Sequence, residues 1–175
     1  ALDEEYLDVD IQIGGIDQRH IMALAREELP VLGYNPRIEV MTPLVASLKG
    51  HDTKMSASLP DTHIKVYDSE AQIREKISRA YCLAGEANNA VLHIAKFVVF
   101  TLKGKVKIER PAKFGGDVVF ESYSEMEKAF VEKKLHPADL KKSVAEELVE
   151  IFAPARKFFD SHREMLENLG KEFVN

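Results

Sequence analysis

The chain has 175 residues and a formal net charge of −5 at pH 7, with 45% hydrophobic and 30% charged residues. This length suffices for one domain or two small ones, and the composition is typical of a globular protein with a buried core. The charge balance argues against wholesale, nonspecific nucleic-acid binding but allows a local basic surface. The longest apolar run, FVVFTL at 97–102, is too short to span a membrane.

The first ten residues are acidic and predict neither a signal peptide nor a transit peptide. The chain does not begin with Met, which favours a processed product, a domain or a fragment of a longer protein. Cys82 is the single cysteine, so we expect no internal disulfide, a reducing compartment and a cytoplasmic location. The six histidines lack metal-ligand spacing, and we expect no tightly bound, protein-ligated metal.

The first 45 residues predict a strand, a helix and a second strand. The stretch 6–15 alternates apolar and polar residues and stops at two glycines. A helix is expected over 17–33, with four apolar residues at helical spacing that should face a core: Ile21, Leu24, Ala25 and Leu29. The run 37–45 predicts the second strand. This order is the unit of a doubly wound α/β sheet.

The rest of the chain predicts a mainly helical domain. A helix should begin at Asp68 or Ser69, with Gln72 placed to complete an N-terminal cap. An apolar helix at 90–102 and a β-hairpin at 105–123 follow. Two or three further helices are expected after the hairpin. The fold class is therefore α/β and then mainly α.

The strand-to-helix turn GGIDQR is a candidate ligand site. Gly14 and Gly15 would let a ligand approach the backbone, and the following helix N-terminus offers N–H groups. Asp17 and Gln18, expected in the first helical turn, could accept hydrogen bonds from sugar hydroxyls and bind a small polar ligand. The alternative is a plain glycine turn with Asp17 as the N-cap.

The loop KMSAS, residues 54–58, is a second candidate. Lys54 offers a mobile positive charge, and the N–H and hydroxyl groups after it can hold phosphate. The loop is not a Walker motif, because the pattern GxxxxGK[ST] is absent. A flexible surface loop is the alternative.

The predicted hairpin carries a cluster of cations opposed locally only by Glu109: Lys103, Lys105, Lys107, Arg110 and Lys113. Phe114 stands at its Gly-Gly tip. Cations beside an exposed aromatic ring favour single-stranded RNA, because they neutralise the backbone while the ring stacks on a base. A solvated hairpin with Phe114 in the core is an equally good interpretation.

The stretch HPADLKKSV predicts a helix entered through Pro137. His136 precedes the helix, and Asp139 falls in its first turn, where a carboxylate complements the helix dipole. Capping is therefore the default interpretation of Asp139. An accepting carboxylate beside a histidine could also bind a guanine edge.

Taken in order, these motifs resemble the C-terminal half of tyrosyl-tRNA synthetases of the archaeal and eukaryotic-cytosolic type. The resemblance runs nearly end to end and is carried by five stretches: ALDEEYLDVDIQIGGIDQRHI, KMSAS, IREKISRAYC, RPAKFGGDVVFESY and LHPADLKKSVAEELVEIFAPAR. It implies the C-terminal part of a Rossmann-like class I synthetase catalytic domain over 1–66. A helical anticodon-binding domain with a β-hairpin would occupy 67–175.

The resemblance assigns roles to the turn and to the loop, which is a form of the class I signature KMSKS. Gly15 and Asp17 would meet the ribose of ATP or tyrosyl-adenylate, Gln18 the tyrosine carboxyl or carbonyl group, and Arg19 the tRNA acceptor stem. In the loop, Lys54 and Ser58 would be catalytic, and Met55 and Ser56 would bind ATP. Ala57 replaces the second lysine of KMSKS, which leaves more of the phosphate stabilisation to the other loop residues.

The resemblance also implies an anticodon pocket, in which Phe114 stacks on the first anticodon base, His136 lies beside it and Asp139 accepts hydrogen bonds. The implied activity is tyrosine–tRNA ligase, with tyrosine, tRNA(Tyr) and ATP with Mg²⁺ as partners. The half with the H-x-G-H signature is missing, so we expect this chain to be inactive alone and the full-length protein to be a homodimer. A non-catalytic tRNA-binding module and a tryptophanyl-tRNA synthetase are the alternatives.

Overall fold

A computed structural model describes residues 2–50, 53, 55–56 and 58–172, with side chains described up to residue 168. The chain forms two compact units, Ala1–Val45 and Ala46–Asn175. No helix in the described ranges is long and apolar enough to cross a membrane.

The first unit is a β–α–β unit preceded by a short helix. Its elements are α1 (Leu2–Tyr6), β1 (Ile11–Gly15), a 3₁₀ turn (Ile16–Gln18), α2 (Arg19–Val31) and β2 (Ile38–Thr42). Strands β1 and β2 pair in parallel, from Ile11 opposite Ile38 to Gly15 opposite Thr42. The predicted strand, helix and parallel strand are confirmed.

The first strand is shorter than its alternating pattern suggested. Tyr6 ends α1, and Asp8 takes a left-handed conformation with φ of 51°, which Asp tolerates better than most residues. The amide of Val9 donates to the Glu4 carbonyl, so the chain turns before it extends. Strand β1 therefore begins only at Ile11.

Helix α2 packs on the sheet through a different stripe from the one predicted. Ala25 and Leu29 are buried as expected, but Ile21 and Leu24 are about half exposed, and Met22 takes their place. Gly14 explains the difference, because a Cβ there would lie 2.4 Å from Cε of Met22. The missing side chain lets Met22 fill the space above β1.

One face of this two-stranded sheet is apolar and open. Ile11, Ile13, Ile38 and Val40 are each between 43% and 70% exposed. Parallel sheets in globular proteins are normally covered on both faces. Within the described part of the first unit, nothing covers these four side chains.

The second unit contains the remaining helices and the hairpin. Its elements are a 3₁₀ turn (Pro60–Thr62), α3 (Glu70–Arg79), α4 (Ala90–Ile94), a π-helical turn (Ala95–Val99), α5 (Phe100–Lys103), β3 (Val106–Ile108), a 3₁₀ turn (Ala112–Phe114), β4 (Val118–Phe120), α6 (Tyr123–Val131), α7 (Pro137–Ile151), α8 (Ala153–Ser161) and α9 (Arg163–Glu172). Strands β3 and β4 pair antiparallel, which confirms the hairpin.

Helices α3 and α7 form the centre of this unit. Ile73 and Ile77 on α3 are fully buried, as are Leu140 and Val144 on α7. Helix α7 also contacts β3, the π turn, α4 and α8. At the solvent edge, Arg74 donates two parallel hydrogen bonds to the Glu146 carboxylate, at 2.8 and 2.9 Å. This pair holds the two helices in one register.

Two helical predictions changed in detail. The apolar helix is continuous from Ala90 to Lys103 but widens into the π turn, and it ends at Gly104 with φ of 74°. Up to Glu172, where the described part of the chain ends, four helices follow the hairpin instead of two or three. Pro154 cannot donate to the preceding turn, so α7 stops at Ile151 and α8 starts at Ala153.

Leu48 and Thr62 connect the start of the second unit to its helices. The amide of Leu48 donates to the Thr62 carbonyl at 3.0 Å, and the Leu48 carbonyl accepts from the amide of Tyr81 at 2.7 Å. Leu48 itself is buried. The compact units thus divide at residue 45, while the domain boundary at residue 66 stays a prediction.

The predicted cap of α3 provides a test of the fold. Ser69 forms a capping box with Gln72, because its hydroxyl accepts from the Gln72 amide while the Gln72 side chain accepts from the Ser69 amide. We expect Ser69→Ala to lower the free energy of unfolding by about 1 kcal/mol in urea titrations. Ser124→Ala, an exposed serine inside α6, should change it by less than about 0.5 kcal/mol. Equal effects would show that the box does not stabilise α3.

Candidate functional site

The turn after β1 leaves its backbone accessible from one side. Gly15 ends the strand with φ of −69°, so a positive φ does not explain the glycine. A Cβ at this position would lie 2.3 Å from Oδ1 of Asp17 and 3.2 Å from Cδ2 of Leu44. The lack of a side chain therefore lets the Asp17 carboxylate fold back over the strand end.

Asp17 does not act as a helix cap. It lies in the 3₁₀ turn, and neither that turn nor α2 has a side-chain cap hydrogen bond. Nε2 of Gln18 donates to Oδ2 of Asp17 at 3.0 Å, which pairs two exposed polar side chains at the end of β1. Arg19 begins α2 and is exposed. The four predicted residues of this turn thus adjoin one another.

The KMSAS loop is described in part. Lys54, the predicted catalytic cation, and Ala57 lie outside the described residues. Met55 is 39% exposed, and the hydroxyls of Ser56 and Ser58 are 2.9 Å apart. Two adjacent hydroxyls are suited to donate together to phosphate oxygens.

Thr62, which the sequence had not suggested, anchors this loop. Its side chain is buried, with Oγ1 accepting from the Ser56 amide at 3.2 Å and donating to the Leu59 carbonyl at 2.6 Å. The Leu59 amide donates to the Ser56 carbonyl, and the Thr62 amide donates to the Leu59 carbonyl, so two turns follow one another here. One hydroxyl therefore fixes the backbone that carries Ser56 and Ser58. The only sequence signal was a threonine in a Pro-Asp-Thr turn, which is weak.

The cations of the hairpin are more strongly paired than their sequence suggested. Lys103 binds Glu147 and Glu150 on α7, and Lys107 binds Asp117 at 2.9 Å. The hydrogen bond from Lys107 lowers the pKa of Asp117, and the Arg110 amide lowers it further. Among the described residues, Lys105 has no ion-pair partner. The cluster is thus largely a network that holds the hairpin.

Phe114 stands at the tip of the hairpin and is 61% exposed, which excludes the interpretation as a core residue. It ends the 3₁₀ turn and is followed by Gly115 with φ of 98°. Nζ of Lys113 lies 4.9 Å from the centre of the Phe114 ring. An open aromatic face with a cation beside it is suited to stack on a nucleic-acid base.

The N-terminus of α7 is capped by His136 and not by Asp139. Nδ1 of His136 accepts a hydrogen bond from the Ala138 amide at 3.1 Å. In the neutral ring the proton then lies on Nε2, which leaves a donor. The Asp139 carboxylate makes no hydrogen bond or ion pair with any residue that the structure describes. It is available to accept from a ligand.

A groove of about 490 Å³ opens beside His136, between α3 and α7. Cationic side chains of Arg74, Lys141 and Lys142 line it, together with Glu146. Nζ of Lys141 donates to the Ser78 carbonyl at 3.0 Å and so joins the two helices. The groove places positive charge beside His136, one of the predicted anticodon residues.

The remaining reactive groups give no sign of other chemistry. Burial raises the pKa of the Cys82 thiol to about 11, so the thiol is protonated and unreactive at neutral pH. Within the described ranges, no group of three or more His, Cys, Asp or Glu side chains could hold a metal ion.

Comparison with known proteins decides the family. Residues 1–153 match the family described as tRNA synthetases class I (W and Y). The chain belongs to this family. Tyrosine–tRNA ligase of Methanopyrus kandleri is 47% identical over 158 residues, which are 90% of this chain and 48% of that protein. The cytoplasmic tyrosine–tRNA ligase of Danio rerio is 44% identical over 162 residues, 92% of this chain and 30% of that protein.

Solved structures support the same family. The crystal structure of Archaeoglobus fulgidus tyrosyl-tRNA synthetase, complexed with L-tyrosine, matches 89% of this chain and 48% of its own length. Its identity to this chain is 44% and the TM-score is 0.80. The predicted resemblance and the α/β-then-helical class I synthetase fold are confirmed. The chain spans about a third to a half of the length of these relatives.

The anchoring role of Thr62 can be measured directly. We expect Thr62→Val to lower the free energy of unfolding by about 1–2 kcal/mol, because it removes the hydroxyl that accepts from the partly buried Ser56 amide and donates to the Leu59 carbonyl. Thr101→Val, at an exposed threonine that donates to a helix carbonyl, should cost less than about 0.5 kcal/mol. If both variants unfold at the same urea concentration as the unaltered chain, Thr62 does not hold the loop.

Proposed function

We propose that this chain supplies the C-terminal part of a tyrosine–tRNA ligase. It would contribute the ribose- and phosphate-binding elements of the ATP site and the complete anticodon-binding surface. The observation that carries the proposal is the close structural match to a synthetase solved with L-tyrosine, at 44% identity. The exposed Phe114 and the open Asp139 carboxylate support it from the anticodon side.

The proposed reaction proceeds in two steps. A tyrosine carboxylate oxygen bonds to the α-phosphorus of ATP, the bond to pyrophosphate breaks, and tyrosyl-adenylate forms. A hydroxyl at the tRNA 3′ end then attacks the tyrosyl carbonyl, and AMP leaves. ATP with Mg²⁺ is the co-substrate. Both steps depend on positioning and on stabilisation of phosphate charge, so no protein nucleophile is needed.

The residues of this chain would act on the substrates as follows. The Gly15 backbone and the Asp17 carboxylate bind the ribose, and Gln18 binds the tyrosine carboxyl group. Lys54 stabilises the leaving pyrophosphate, while Ser56 and Ser58 donate to phosphate oxygens. The close approach at Gly15 supports this assignment, because a Cβ there would displace Asp17. Arg19 contacts the acceptor stem.

In the anticodon pocket, Phe114 stacks on the first anticodon base and Asp139 accepts from its edge. Guanine presents two neighbouring N–H donors on its Watson–Crick edge, which suit a carboxylate with both oxygens available. Because His136 already caps α7, Asp139 can serve the base without uncapping the helix.

The proposed enzyme requires the half that this chain does not carry. The open sheet face formed by Ile11, Ile13, Ile38 and Val40 is the surface that the rest of a Rossmann-like sheet domain would cover. The full-length protein is proposed to be a homodimer. A cytoplasmic location is inferred from relatives such as the cytoplasmic ligase of Danio rerio.

A tRNA-binding module without catalysis is the second candidate. It would use the exposed Phe114 and the open Asp139 carboxylate without the residues proposed for the ATP site. The tryptophan-specific alternative is disfavoured, because relatives with 44–47% identity are named as tyrosine ligases.

Tyrosine-dependent pyrophosphate exchange separates the first two candidates. We expect no exchange with this chain alone and restored exchange when the N-terminal half of the Methanopyrus kandleri ligase is added. Ile13→Lys should abolish the restored exchange, because it places a charge on the open sheet face. Leu102→Lys, at a similarly exposed aliphatic residue of the second unit, should leave it intact. Strong exchange by this chain alone would contradict the requirement for a second half.

Binding of anticodon stem-loop RNA tests the role of Asp139. We expect Asp139→Ala to weaken binding of RNA with guanine at the first anticodon position by about 1–3 kcal/mol and to leave RNA with adenine there nearly unaffected. Glu125→Ala, which removes an acid from the first turn of α6, is the matched control and should preserve the preference. If Asp139→Ala weakens binding of both RNAs equally, Asp139 only stabilises the N-terminus of α7 through the helix dipole.

A further inference from the structure

Arg110 connects the two parts of the predicted anticodon pocket. Its Nε donates to the Gly116 carbonyl at 2.6 Å, at the tip of the hairpin. Its Nη1 donates to the Lys134 carbonyl at 3.2 Å, in the turn that leads into α7. One guanidinium therefore bridges the loop that carries Phe114 and the segment that ends at His136.

Three backbone hydrogen bonds close the hairpin tip: the amides of Phe114 and Gly116 donate to the Pro111 carbonyl, and the Gly115 amide donates to the Ala112 carbonyl. These bonds stay within the tip. Between β3 and β4 the chain takes a 3₁₀ turn and then two left-handed glycines, Gly115 at 98° and Gly116 at 72°. Phe114 is largely exposed. Nη2 of Arg110 covers Gly115, where a Cβ would lie at 3.2 Å. The Arg110 amide also donates to Oδ1 of Asp117. Arg110 thus holds the tip at three places.

The other end of the bridge is firmly placed. The amides of Lys134 and Leu135 both donate to the Ala129 carbonyl, at 2.8 and 3.2 Å, and Leu135 is buried. Two residues after Lys134, His136 caps α7. A bond to the Lys134 carbonyl therefore ties the hairpin tip to a rigid point near the base-reading helix.

We propose that Arg110 is a positioning residue for anticodon recognition, which sets the Phe114 ring at the spacing from Asp139 that a stacked guanine requires. This inference rests on the proposed function of the pocket. Arginine suits the task, because its planar fork reaches two carbonyls in fixed directions. A lysine has a single nitrogen at the end of a flexible chain, so it does not fix two carbonyls in separate directions.

The hydrogen bonds of Arg110 distinguish a positioning role from electrostatic attraction of RNA phosphates. Two of the guanidinium nitrogens donate to backbone carbonyls, and the side chain is partly buried. Loss of Arg110 should then reduce the preference for guanine more than the affinity for RNA as such. A phosphate contact would behave in the opposite way, with equal losses for all RNAs and a smaller salt dependence.

The experiment measures binding of this chain to two anticodon stem-loops that differ only in guanine or adenine at the first anticodon position. We expect Arg110→Lys, which keeps the charge, to lower affinity for the guanine RNA by about tenfold and for the adenine RNA by less than about twofold. The slope of affinity against salt should not change. Lys105→Gln, which removes an exposed charge from the same hairpin, should weaken both RNAs equally and flatten that slope.

A double-mutant cycle with Phe114→Ala shows whether Arg110 acts through the ring. In the Phe114→Ala background, Arg110→Lys should cause no further loss of guanine preference beyond about twofold. Additive losses would overturn the inference and leave Arg110 as an independent contact. Because a general loss of folding would weaken both RNAs together, the ratio of the two affinities remains informative even if the melting temperature falls.

The outcomes distinguish this inference from the function on which it rests. If the unaltered chain shows no preference for guanine, the proposed anticodon pocket is wrong. If it prefers guanine and Arg110→Lys keeps that preference, the pocket stands and the positioning role is refuted. Equal weakening of both RNAs by Arg110→Lys also refutes it.

Discussion

The packing of α3 against α7 is the constraint on which the second unit depends. Buried isoleucines of α3 meet buried aliphatic residues of α7, and the Arg74–Glu146 pair fixes their register at the surface. Helix α7 in turn contacts β3, the π turn, α4 and α8. Its N-terminus carries His136 and Asp139, so the same packing that forms the core also sets the direction of the predicted base-reading groups. The predicted base recognition therefore depends on a helix that several elements hold in place.

Periodic patterns predicted much of the fold, because a helix or strand with one buried face has apolar residues at regular spacing in the sequence. The β–α–β unit, the Ser69 cap and the hairpin could all be predicted from residues close together in the chain. The contact stripe of α2 could not, since it depends on the space that Gly14 leaves for Met22. The split between α7 and α8 follows from Pro154, which cannot donate a backbone hydrogen bond to the preceding turn.

The residues of the candidate site could be predicted from the sequence, but their hydrogen bonds and ion pairs could not. Lys103 looked available because its partners, Glu147 and Glu150, lie more than 40 residues away in the sequence. The open carboxylate of Asp139 depends on how the His136 ring is turned, which no spacing rule reveals. Thr62 and Arg110 act through backbone carbonyls, and such contacts leave no pattern in side-chain type.

In the proposed function, the second unit reads the first anticodon base of a tyrosine tRNA. Kethoxal, which modifies the Watson–Crick edge of unpaired guanine, is the chemical probe for this contact. We expect saturating amounts of this chain to protect the guanine at the first anticodon position and to leave unpaired guanines in other loops reactive. If the first anticodon guanine stays as reactive as in free tRNA, the second unit does not read this base.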